Sequence, residues 1–455
     1  MGSVLPLFVL ALLLLWPSPA SAQHPLLKDI ILQRNLADLQ KSFKDGSYRG
    51  EAGVLRIRPE SAKSLGLKTA VDREYLDARE LLEQATSSLE AAKGFMSTRN
   101  EETYTGEHVH NIGVLYLHYR RSLEKAKQKL SAYYSRLDPT ADERLQEAVC
   151  VRLMEKLLAE CFKRADNRLR DGLGLFYNLC RDPDQDNAFL NSENMDFVNE
   201  VFNRFVAEYP QDQPMPFLLD RQEEYRDRHE GWKEAIQGDF PYVSQLEEIL
   251  GKFRSGSERL DPLLFIALMR KESNFDPQAV SSSGAAGLTQ LMPRTAMDLG
   301  MKNVWMPAYF LEATGLSDME RRTRAQAMAA LHRITEENKL QASSEARELM
   351  QEALRIGQQK ERLYAQYRRE LFQSSGDDRM EPSLAMEYGF KYFLRLMKDH
   401  KGDVSLALAA YNAGPQRIKE YKGIPPFGET LRFRNRTLEF YREYLKKIKG
   451  RNPSG

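Results

Sequence analysis

The amino-acid sequence predicts a mainly α protein: an N-terminal domain of helical hairpins or a bundle, then a second α-rich domain carrying a long helical insertion. Three observations predict it. In two long stretches of the first half, apolar residues recur at alternating spacings of four and three, the period of helices packed at a shallow angle. The second half is punctuated by Asp261-Pro262 at a helix start and by Gly300 and Gly414-Pro415 at helix stops. Between those marks, residues 317–372 are rich in Ala, Glu, Arg and Gln, which favour helix. A length of 455 residues gives room for two to four domains at roughly 100–200 residues each. A hydrophobic content of 42% with 29% charged residues excludes both a disordered chain and a multi-spanning membrane protein. Lys and Arg number 66 against 65 Asp and Glu, so no global charge draws the chain to nucleic acid.

Taken in order, residues 1–27 contain no Asp, Glu, Lys or Arg, and residues 7–16 are a continuous apolar run, too short to span a bilayer. Pro17-Ser18-Pro19 and the small-residue triplet Ala20-Ser21-Ala22 follow. This reads as a signal peptide, residues 1–22, cut after Ala22, with no cysteine placed for lipid attachment. Residues 23–240 then form the helical N-terminal domain and 241–450 the second domain, with the insertion at about 301–380. Val71, Tyr75, Ala78, Leu82, Ala85, Leu89 and Ala92 mark one helix, closed at Gly94. Ile112, Tyr116, Tyr119, Leu123, Ala126, Leu130, Tyr133 and Leu137 mark another, ending at Asp138-Pro139. A polar connection with Gly106 makes the pair an antiparallel hairpin. A third helix is expected over 141–162, with more helix up to Tyr209. Pro210, Pro214 and Pro216 then read as a linker or boundary. No repeat period is legible in this half. His108 and His110 lack a third ligand nearby, so neither a metal nor any other cofactor is expected. Of three cysteines, Cys150 and Cys161 lie about three turns apart on one helix and cannot pair there. Any bridge must therefore use Cys180, and buried free thiols are the alternative.

The chemistry gathers in the second half. Asp261 caps a nearly all-apolar helix, 263–271, which delivers Glu272 at its C-terminal end. Apolar surroundings and the negative end of the helix dipole both disfavour the ionised carboxylate, as a general acid requires. A surface Glu paired with Arg270 or Lys271 is the alternative. A small-residue loop, Ser281-Ser282-Ser283-Gly284-Ala285-Ala286-Gly287, lets backbone approach a ligand. Leu288-Thr289-Gln290-Leu291-Met292 reads as a short extended piece that presents Gln290, and Pro293 starts a further helix stopped by Gly300. Asp403 caps an apolar helix that ends in Tyr411-Asn412-Ala413-Gly414-Pro415, with Gly414 as a left-handed C-cap.

In these segments the chain resembles the soluble lytic transglycosylase family. Glu272-Ser273 matches its ES element, and Gly284 through Gln290, then Met292-Pro293, match its GAxGLMQ and MP elements. Residues 410–414 match AYNAG, and Pro426-Phe427-Gly428-Glu429-Thr430 looks like the closing PYxET element, with Phe433 and Arg436 beyond it. Three departures stand out. Thr289 replaces a Met, Glu381-Pro382 followed by Ala385 replaces an Asp-Pro with a later Asn, and an insertion separates Gly300 from Glu381. The inserted stretch should form one or two charged helices, either a lid or brace or a partner-binding arm.

The resemblance implies a lysozyme-like fold and cleavage of the β-1,4 bond between N-acetylmuramic acid and N-acetylglucosamine in peptidoglycan glycan strands. It implies Glu272 as the lone catalytic carboxyl, acid and then base, with Ser281, Gln290, Met292, Tyr411, Asn412 and Glu429 as substrate-binding residues. Arg432, Arg434 and Arg436 either meet substrate carboxylates or form a solvated face. An exported enzyme of the bacterial periplasm or cell envelope follows, with room for envelope-protein partners on the N-terminal domain. A hydrolytic muramidase on the same fold and an inactive peptidoglycan-binding scaffold are the alternatives.

Overall fold

A computed structural model of the chain describes residues 24–98, 105–181, 189–221, 231–236, 238–253, 260–373 and 376–451. The expected signal peptide lies outside the described residues. Among them are seventeen α-helices and no β-strand, so the chain is mainly α as expected. No described helix is long and apolar enough to cross a membrane. The contacts divide into two compact units, Met1–Ala70, Leu137–Tyr225 and His400–Asn435 in one, Val71–Arg136, Arg226–Asp399 and Arg436–Gly455 in the other. Each unit draws on both halves of the chain.

The first unit holds α1 (Pro25–Asp45), α2 (Pro59–Ser64), α5 (Glu147–Arg164), α6 (Leu169–Arg181), α7 (Met195–Glu208), α15 (Val404–Ala413), α16 (Pro415–Glu420) and the start of α17 (Gly428–Arg451). Its centre is α6, buried along almost its whole length, Arg170 and Asp171 included. Buried charge survives only when paired. Here Arg434 contacts Asp171 at 2.7 Å and Asp220 at 3.0 Å, Arg168 meets Asp220 at 2.5 Å, and Arg170 meets Asp403 at 2.7 Å. The proline-rich stretch after Tyr209 is therefore no loose linker. Asn167 donates to the Pro216 carbonyl at 2.7 Å, Leu169 N–H to the Leu218 carbonyl at 2.9 Å, and Asp220 anchors the end. Prolines lack a donor but keep their carbonyls, and these carbonyls tie the segment in. The helix expected from residue 141 starts later, at Glu147, because Asp142 and Arg144 are spent in a buried 3₁₀ turn. Cys150, Cys161 and Cys180 are buried and unbridged; burial pushes the Cys150 thiol up to about 11 and raises the other two.

In the second unit, α3 (Arg73–Ser97) and α4 (Thr105–Ser135) form the predicted hairpin. Tyr75, Ala78, Ala85 and Ala92 face Ile112, Tyr116, Ala126, Leu130 and Tyr133 as the period requires, whereas Gly94 sits inside α3 rather than ending it. The insertion is a second hairpin, α12 (Ala308–His332) and α13 (Lys339–Leu371), and α13 packs on both α3 and α4. Small residues at the seam (Ala92, Ala327, Ala330, Ala346) allow close approach around Met96, Tyr116, Leu331 and Met350. The inserted helices are thus a brace inside the unit. The unit also holds α8 (Trp232–Ala235), α9 (Val243–Lys252), α10 (Pro262–Ser273), α11 (Pro293–Leu299), α14 (Pro382–Asp399) and the rest of α17.

Candidate active site

Asp261 caps α10 by accepting from Leu263 N–H at 2.9 Å and is itself held by the Tyr441 hydroxyl at 2.5 Å. With Pro262 as its first residue, α10 is buried through Met269, and Glu272 emerges half-buried on its last turn. Arg270 is engaged elsewhere, 3.0 Å from Glu443 and 3.9 Å above the Phe440 ring. Asn274 (φ 51°) and Phe275 (φ 67°) both adopt left-handed backbone just beyond the helix, strain of the kind that gathers at functional sites. A cavity of about 410 Å³ at this end is lined by Asp239, Pro241, Arg270, Asn274 and Phe275.

Ser273 fastens the helix end to the glycine loop by donating to the Leu288 carbonyl at 3.0 Å. The loop is a tight turn, not the extended piece expected: Ala286 and Leu291 form an isolated antiparallel bridge, and Gln290 N–H returns to the Gly287 carbonyl at 3.1 Å. Gly287 has φ 78°, and a Cβ there would sit 1.6 Å from the Arg379 carbonyl oxygen, so only glycine fits. Ser281, half-buried, accepts from Ala285 N–H through its Oγ at 2.9 Å. Gln290, with φ 47°, donates both amide hydrogens inward, to the Ala279 and Gly287 carbonyls at 2.9 Å each. Its remaining capacity is that of an acceptor. Met292 is half-buried and caps α11.

Sequence reasoning missed what holds this loop. Arg379 is fully buried and donates to the Gly284 and Leu291 carbonyls at 3.0 and 3.2 Å, to both Asp377 carboxylate oxygens, and to the Tyr367 hydroxyl at 2.5 Å. Tyr367 and Phe310, from the inserted hairpin, pack beneath the loop. The two motif departures meet one another: the Thr289 hydroxyl, buried, donates to the Ala385 carbonyl at 2.9 Å. Glu381 does the capping work of an Asp, accepting from Ser383 and Leu384 N–H.

The other three candidates belong to the first unit. Tyr411, buried on α15, stacks parallel to Phe433 with ring centroids 6.4 Å apart. Asn412 accepts from the Thr430 hydroxyl at 2.8 Å, and Glu429 is exposed in the first turn of α17. Gly414 has positive φ but an extended ψ of 146°, so it links α15 directly to α16 and is not a left-handed cap. Of the three arginines considered for substrate, Arg434 is fully buried in its ion pairs and Arg436 pairs with Glu439 at 2.6 Å. Among the described residues no group of three or more His, Cys, Asp or Glu is placed to hold a metal ion.

Comparison with known proteins bears directly on this geometry. Residues 252–325 and 341–430 match the family described as the transglycosylase SLT domain, the gap between the two segments covering the end of α12 and the turn into α13. Within these two segments the chain is similar to the transglycosylase SLT domain. A transglycosylase of Enterobacteria phage PRD1 is 43% identical over 53 residues, which are 12% of this chain and 20% of the phage protein. The lytic transglycosylase Slt of Pseudomonas aeruginosa, solved as an inactive mutant, is similar at 15% identity and a TM-score of 0.26, over 83% of this chain and 52% of that one. The 70 kDa soluble lytic transglycosylase of Escherichia coli gives 13% and 0.30, over 95% and 73%. The chain spans about a fifth of the phage relative it matches and about half of the Pseudomonas chain.

Proposed function

We propose that the chain is an exported lytic transglycosylase of the bacterial cell envelope that cleaves peptidoglycan glycan strands between N-acetylmuramic acid and N-acetylglucosamine without water. The observation that carries this is the SLT match across the segment in which Glu272 stands half-buried at the end of an otherwise buried helix. In this reading Glu272 gives its proton to the glycosidic oxygen as the C1–O4 bond breaks. The carboxylate left behind takes the proton from the muramic C6 hydroxyl, whose oxygen bonds to C1 and closes a 1,6-anhydro ring. Protons and oxygens balance with no water consumed. One carboxyl therefore serves both steps, unlike the two-carboxylate arrangement of most glycosidases.

The Ser281 hydroxyl hydrogen suits the acetamido oxygen that steadies charge at C1. Gln290 acts mainly as a positioning residue, because its donors are spent on the loop. Met292 lines the cleft beside the acid, and Tyr411, Asn412 and Glu429 bind or support sugar. Glu272→Gln keeps the shape and removes the proton. Release of muropeptides from purified peptidoglycan should fall by about 10²–10⁴-fold. Undiminished release would mean that Glu272 is not the acid.

A further inference from the structure

The second half of the chain has a counterpart in the first. Residues 50–68 and 284–302 are related by a shift of 234 positions, with Gly50, Ala52, Gly53, Pro59, Ala62, Leu65, Gly66 and Lys68 identical to Gly284, Ala286, Gly287, Pro293, Ala296, Leu299, Gly300 and Lys302. The backbone repeats with them. Ala52 bridges Ile57 as Ala286 bridges Leu291, and Gly53 and Arg56 (φ 67° and 52°) answer Gly287 and Gln290 (φ 78° and 47°). A Cβ on Gly53 would lie 1.7 Å from the Arg144 carbonyl oxygen, as one on Gly287 would lie 1.6 Å from that of Arg379. Arg144 donates to the Gly50 and Ile57 carbonyls at 3.0 and 3.1 Å and to both oxygens of Asp142. These are the bonds that Arg379 makes to the loop carbonyls and to Asp377.

The element order repeats as well. After the loop, the first half runs α2, the α3–α4 hairpin, a 3₁₀ turn, α5 and α6; the second runs α11, the α12–α13 hairpin, a 3₁₀ turn, α14 and α15. Helices α3 and α12 are each 25 residues long, and α5 and α14 each 18. Left-handed pairs precede α6 (Asp166, Asn167) and α15 (Lys401, Gly402) alike. Contacts between the copies are reciprocal, as in an isologous dimer. In the first unit Asn199 donates to the Ile424 carbonyl at 2.8 Å and Asn435 to the Leu190 carbonyl at 3.2 Å. In the second, the Tyr116 hydroxyl donates to the His332 carbonyl at 3.3 Å and Gln351 to the Met96 carbonyl at 2.8 Å.

The scaffold is kept and the chemistry is not. Pro25 opens α1 as Pro262 opens α10, and in that register Asn35, buried, stands where α10 has Glu272. Counting from the left-handed pairs puts Phe176 at the place of Tyr411, and Arg56 stands for Gln290. One turn beyond Asn35, Asp38 is taken up by Arg34 and by Arg56 at 2.8 Å, while Arg181 holds Glu51 at 3.0 Å.

We infer that residues 25–208 are a second copy of the SLT module, fused as an internal pseudo-dimer partner. Its acid has become an amide, and its site is occupied by the chain's own ion pairs. The duplication stands on this geometry alone; the silence of the first site rests on the role proposed for Glu272. Two measurements on the full chain test the two parts. Replacing residues 50–58 by the sequence of 284–292 should give a protein that unfolds cooperatively with Tm within a few degrees of wild type. A graft that does not fold would overturn the duplication. Calorimetry of the Glu272→Gln chain with a purified GlcNAc-MurNAc tetrasaccharide should give one site per chain. Two equal sites would overturn the silence of the first copy. No binding at all would count against the proposed substrate and leave the duplication to the graft.

Discussion

Glu272 and Gly287 show how differently single residues matter in the candidate site. In the proposed mechanism Glu272 serves through its proton, and its replacement by Gln should leave the fold intact, as an unchanged Tm beside lost muropeptide release would confirm. Gly287 is there for its missing side chain. Ala at that position combines a left-handed φ with a Cβ placed against the Arg379 carbonyl. Strained backbone and overpacking of about 1–3 kcal/mol each should lower stability by about 2–6 kcal/mol in denaturant titrations. Thr289→Val removes a buried hydrogen bond to a carbonyl that α14 also engages within the helix, at a net cost of about 0.5–1.5 kcal/mol in the same assay. If T289V were neutral, the hydroxyl would not be the reason that Thr stands there.

Among the elements, the caps were the most legible in sequence. Asp261-Pro262 and Asp403 start α10 and α15 where local chemistry demands, because a cap depends on two or three neighbouring residues. The 3₁₀ turns at Asp142 and Asp377 were not legible, since their arginines act on carbonyls roughly ninety residues away. For the same reason Gln290 could be named but not oriented: its bonds run to the Ala279 and Gly287 carbonyls, and its turn closes on a bridge. Arg379→Met should strand the buried Asp377 carboxylate and cost about 3–5 kcal/mol. In a double-mutant cycle with Asp377→Ala the two losses should fall well short of additive. Additive losses would show that the pair does not act as one brace.

For the molecule as a whole, composition and periodicity sufficed for the helical class and for the α3–α4 hairpin, and the four motifs carried the resemblance to the SLT domain. The packing of the inserted hairpin on α3 and α4 was hidden, because its seam is made of alanines too common to signal a partner. The repeat escaped for a physical reason too. Its two copies share the glycines, proline and buried arginine that the backbone requires, while the residues proposed to carry function differ, Glu272, Gln290 and Tyr411 against Asn35, Arg56 and Phe176.

The central claim concerns what happens to the bond, and products report it most directly. Purified peptidoglycan digested by the full chain in isotopically labelled water, with the fragments weighed by mass spectrometry, should yield muramic ends closed as 1,6-anhydro rings, lighter by one water and carrying no label. Reducing muramic ends carrying oxygen from the labelled water would contradict the account and make the protein a hydrolase.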